Sequence, residues 1–83
     1  MKKGKKADAD RQRLDRIIAS VVKASREDLD VSRAELADRL GWKPAQIAEL
    51  EIGRRVIRAS DLILIARALK LDPRKMFDRL LSW

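Results

Sequence analysis

The chain has 83 residues, 46% of them apolar but only three aromatic (Trp42, Phe77 and Trp83), so it can build one domain around a single aliphatic core. It contains no Cys, which excludes disulfides and thiolate metal sites, and no His, which removes the usual general base and the commonest metal ligand. Twenty Lys and Arg against thirteen Asp and Glu give a net charge of +7, and Lys2, Lys3, Lys5 and Lys6 supply four of those charges. Such an imbalance points to a polyanionic partner, nucleic acid first. No apolar run approaches the ~18 residues of a bilayer span and no signal-peptide core follows the basic start, so a cytoplasmic protein with no membrane partner is expected.

Residues 1–7 lack apolar periodicity and are expected to form a disordered basic arm ahead of a folded domain over residues 8–83. Asp8 or Asp10 can cap a first helix, whose stripe of Leu14, Ile17, Ile18, Val21, Val22 and Leu29 is broken at Ser25. In "VSRAELADRLG", Ser32 and Glu35 form a capping box and Gly41 is a helix stop. Pro44 suits the first turn of a third helix that Gly53 ends, and Ser60 or Asp61 starts a fourth through "DLILIARAL". Asp72-Pro73 opens a fifth that runs to about Ser82. "RRVIR" (Arg54–Arg58) reads as an extended connector, and no stretch alternates with period two. The fold class is all-α, a compact five-helix domain without repeats.

The second and third helices carry the most specific pattern. Leu36, Ala37 and Leu40 face inward from one, Ile47 and Leu50 from the other. Ala37 is small where two short helices must cross closely, and Gly41 allows the positive φ of a tight turn. This Ala–Gly–Ile–Leu spacing is that of a helix-turn-helix.

From Ile18 to Leu81 the chain resembles the Cro/lambda-repressor-type helix-turn-helix proteins. "SRAELADRLG" looks like their second helix, "KPAQIAELE" like the recognition helix and "GRR" like the phosphate-binding turn after it, and "DLILIARALKLDPRKMF" matches the last two helices. The resemblance pairs Arg26 with Glu51, and more as a structural pair than as a site. It implies a sequence-specific DNA-binding regulator, commonly a homodimeric repressor of its own operon, acting on double-stranded DNA. The alternative is an antitoxin-like or other interaction module that uses the same fold to hold a protein partner, a toxin or another regulator.

On the recognition helix Ala45, Gln46, Glu49 and Ile52 lie opposite Ile47, Leu50 and Glu51. Lys43, Pro44, Ala45, Gln46 and Glu49 are the candidates for base contact. Gln46 leads them, since an amide can pair bidentately with adenine, while Glu49 can accept from cytosine N4 and Ala45 can touch a thymine methyl. Lys43 and Pro44 depart from the family pattern at the helix start, and Ile52 is apolar where a polar residue is usual. Phosphate contacts are assigned to Ser32 and Arg33, at a helix N-terminus that favours anions, and to Arg54, Arg55 and Arg58. Trp42 is expected to cover the core edge. Ile63, Met76, Phe77, Leu80, Leu81 and Trp83 exceed what a small core needs and are assigned to a dimer interface. No carboxylate pair or activated nucleophile is apparent, so an enzyme is not expected, nor is any cofactor or metal.

Overall fold

The computed structural model describes residues 3–82, with side chains from Ala7 onward. Met1, Lys2 and Trp83 lie outside the described residues. The elements are α1 (Lys3–Asp28), α2 (Arg33–Leu40), α3 (Pro44–Glu51), α4 (Ala59–Ala68) and α5 (Pro73–Leu81), and the described residues contain no strand. None of these helices is long and apolar enough to cross a membrane.

Most boundaries follow the local chemistry. The Ser32 hydroxyl accepts from the Glu35 N–H at 3.0 Å, and Glu35 Oε1 accepts in return from the Ser32 N–H at 3.4 Å, which completes the capping box. Gly41 closes α2 in the left-handed region, φ 70°. Asp72 caps α5 by accepting from the Arg74 N–H at 3.0 Å.

Two starts differ from expectation, for one reason. The α1 helix begins at Lys3, ahead of Asp8 and Asp10, so neither aspartate is its N-cap. Those aspartates act inside the helix, where Asp8 pairs with Arg11 at 3.7 Å and Asp10 with Arg13 at 3.8 Å, each three residues apart. Likewise α4 begins at Ala59 with Arg58 as its N-cap, and Asp61 reaches back to accept from the Arg58 N–H at 3.1 Å. An aspartate near a helix start serves equally well at the cap or a turn inside it.

The core is aliphatic, as composition requires. Val21 and Val22 of α1, Leu36 and Ala37 of α2, Ile47 and Leu50 of α3, and Leu62, Ile65, Ala66 and Leu69 of α4 are buried together. Trp42 and Leu40 pack at its edge. The α2 helix packs on α3 and α4, while α1 lies against both α3 and α5. Ser25 is buried at that last contact, where Arg79 of α5 donates to its hydroxyl at 2.9 Å. The break in the α1 stripe is therefore a polar tie between the first and last helices.

Candidate nucleic-acid interface

The turn between α2 and α3 is closed by backbone bonds, Gly41 N–H to the Asp38 carbonyl at 3.2 Å and Trp42 N–H to Ala37 at 2.8 Å. Buried Ala37 lets the two helices approach, and Ile47 and Leu50 fix α3 on the core. This leaves Lys43, Pro44, Ala45 and Glu49 exposed on α3 and its flank, together with Ile52 at 61% exposure just beyond it. The outermost strip, Ala45–Glu49–Ile52, is small, acidic and apolar in turn.

Gln46 does not sit as expected. Lys43 occupies the N-cap position with no acceptor to offer, and Gln46, half-buried, turns back so that its Oε1 accepts from the Lys43 N–H at 2.8 Å. Bidentate reading of adenine needs both ends of the amide. Here the carbonyl oxygen is held against the helix end by one bond, and the Nε2 donors are the end left unengaged for a base. A non-capping residue at the N-cap with Gln three positions later is the sequence signal that identifies this arrangement.

Behind α3 the Glu51 carboxylate is buried and held by two arginines. Arg26 donates Nε to Oε2 at 2.6 Å and NH2 to Oε1 at 3.0 Å, and its NH1 meets the Val31 carbonyl at 2.8 Å. Arg33 adds Nε to Oε1 at 3.0 Å. Burial alone pushes Glu51 toward its neutral form, but hydrogen bonds from Arg26 and Arg33, reinforced by their charges, outweigh it and hold the carboxyl below its ordinary range. Arg26 is in turn held more firmly charged, chiefly by its hydrogen bonds to Glu51. The expected pair is thus a triad, and its third member is a residue assigned to phosphate. Arg33 keeps 46% of its side chain exposed, with NH1 and NH2 not engaged by Glu51.

Further basic residues follow α3 in the chain. Gly53, at φ 76°, turns the chain out of α3. Arg54 follows it, exposed, and donates its backbone N–H to the Glu49 carbonyl at 2.9 Å. Arg55 lies with its guanidinium 5.0 Å from the centre of the Trp42 ring, which restricts it without consuming its donors. Arg58 is exposed at the start of α4, and Ser32 is exposed beside Arg33. Neither the Arg33–Glu51 contact nor the Arg55–Trp42 stacking follows from local sequence.

The assigned dimer surface divides. Met76 is 1% exposed and belongs to the core, because it lies on the face of α5 turned toward α4 and α1. Leu80, one turn later, is half-buried against that core. Ile63 and Phe77, each 36% exposed, and Leu81, 83% exposed, remain on the surface together with Leu64. Trp83 lies outside the described residues.

No curated protein is significantly similar to the chain in sequence. Several solved structures share its fold. The clp gene regulator ClgR from Corynebacterium glutamicum superposes with a TM-score of 0.77 at 23% identity, over 83% of this chain and 90% of that one. The wild-type restriction-modification controller protein C.Esp1396I gives 0.77 at 22% identity over 83% and 88%. The controller protein C.AhdI from Aeromonas hydrophila gives 0.69 at 22% identity over 76% and 96%. A family model described as helix-turn-helix matches residues 22–76, from the second half of α1 to the buried Met76. The chain belongs to this helix-turn-helix family, the Cro/lambda-repressor-like class of DNA-binding regulators that its sequence resembles.

Proposed function

We propose that the protein is a transcriptional regulator, a repressor of its own promoter, that binds an inverted-repeat operator as a homodimer with α3 of each subunit in the major groove. The observation that carries this reading is the exposed outer strip of α3 followed directly by Arg54 and Arg55 after Gly53, with Arg33 half-exposed on Glu51 and Arg58 exposed at the start of α4. A helix of eight residues with a small residue, Ala45, near its N-terminus fits deep in a major groove, and the surrounding cations can each neutralise a phosphate. Base discrimination falls to Glu49 and Ala45, with the Gln46 Nε2 as a lateral donor. The similar structures include a gene regulator and controller proteins, which agrees with this role. The chain acts by binding, with no catalytic step and no cofactor, and in the cytoplasm.

Footprinting on DNA upstream of the encoding gene tests the reading. A protected, two-fold symmetric site is the expected result. Failure to protect any site there, with a partner protein co-purifying on the exposed Phe77–Leu81 face of α5, would favour instead an antitoxin-like interaction module.

A further inference from the structure

We propose that Arg16 of α1 is a phosphate-binding residue, so that the first helix carries the DNA contact past the helix-turn-helix; the proposal rests on the DNA-binding reading above. The α1 helix has 26 residues, and its first 19 lie N-terminal to the region matched by the family model. That extension meets the rest of the fold at the turn after α3. A Cβ placed on Gly53 would lie 3.5 Å from Arg16 Cγ and 4.0 Å from its Cα, so Arg16 passes the turn within van der Waals reach of Gly53. The next two residues are Arg54 and Arg55. A groove of about 300 Å³ opens at this junction, lined by Gln12, Asp15, Arg16, Ile52 and Gly53.

Charge pairing groups Arg16 with the arginines that follow α3. Among the described residues, Arg11, Arg13, Arg26, Arg33, Arg39, Arg74 and Arg79 each have a carboxylate within 4.0 Å, whereas Arg16, Arg54, Arg55, Arg58 and Arg67 have none. Arg16 is exposed, and three of the other four lie on the turn or connector that follows Gly53. An unpaired guanidinium is the form that replaces condensed counterions on a phosphate, and Gln12, one turn earlier, offers an amide donor to the same groove. Asp15, half-buried in the groove wall, opposes an anion there and provides a second handle.

The test measures the full chain against a fluorescent mixed-sequence duplex of about 30 base pairs, by anisotropy over a salt series. Arg16→Ala should weaken binding about fivefold to tenfold at 0.1 M salt and flatten the log–log salt slope by about 0.9. Asp15→Asn should tighten binding. Arg67→Ala, removing an unpaired charge at the far end of α4, should leave the slope unchanged. If the Arg54→Ala/Arg55→Ala double variant loses affinity while Arg16→Ala matches Arg67→Ala, the inference is overturned and the DNA-binding reading stands. If wild-type protein does not bind the duplex, both fall together.

Discussion

Glu51 is the residue on which stability and the binding surface meet. It is buried, yet ionised, because Arg26 and Arg33 supply three hydrogen bonds to it. Its folded-state pKa is lowered, so the stability it contributes is fully present above its ordinary value of 4.5 and is lost as pH falls through the lower folded value. Urea melts below pH 4.5 should therefore show an acid-labile component that Glu51→Gln removes. Glu51→Ala leaves Arg26 buried without its carboxylate and should cost about 3–5 kcal/mol at neutral pH. Glu49, two residues earlier, has the opposite character: it is exposed on the outer face of α3, the face proposed to meet bases. If it accepts from a cytosine N4, Glu49→Ala should lose about 1–3 kcal/mol of discrimination at a single base pair while affinity for mixed DNA holds or rises. A systematic operator-variant titration reads this directly, and equal loss on every sequence would assign Glu49 to pairing with a neighbouring cation instead.

At the scale of helices, the termini that the sequence specifies by themselves are those with a unique local solution. Ser32 with Glu35, Gly41, Pro44 and Asp72-Pro73 each leave the backbone one satisfactory arrangement, and all four act where expected. The starts of α1 and α4 were not legible because an aspartate there satisfies either an N-cap or an interior pairing, and local sequence does not choose. The binding face divides the same way. Periodicity placed Ala45 and Glu49 outward on α3, but Gln46 turning to its own helix end, and Arg33 reaching Glu51 eighteen residues away, are choices among competing partners made in three dimensions. In α5, apolar content alone made Met76 and Phe77 look alike, though they are adjacent and face different ways. Met76→Ala should destabilise the fold by about 2–5 kcal/mol through a core cavity, whereas Phe77→Ala, on a partly exposed face, should cost less and make its melting temperature less dependent on protein concentration. Thermal melts of the two variants over a concentration series separate them.

For the molecule as a whole, the proposed two-fold dimer sets the geometry of the operator. Recognition helices of a dimer that meet successive major grooves lie about 34 Å apart, so half-sites should be centred about 10 base pairs apart in an inverted repeat. Inserting five base pairs, about half a turn, between half-sites should abolish cooperative occupancy while leaving each half-site its weak affinity. A Phe77→Ala/Leu81→Ala protein should sediment as a monomer; a dimer surviving that change would move the interface elsewhere. The tie between Ser25 and Arg79, residues 54 positions apart, reaches beyond packing. It closes about two-thirds of the described chain into one loop, with α5 fastened to the helix that also holds Arg26. Local opening of α5 therefore exposes part of the α1 surface that supports Glu51, and α5 and the last turns of α1 should exchange their amide hydrogens as one cooperative unit. Any subunit contact that protects α5 then slows exchange in the last turns of α1 as well, and steadies the buried Arg26–Glu51 pair behind α3.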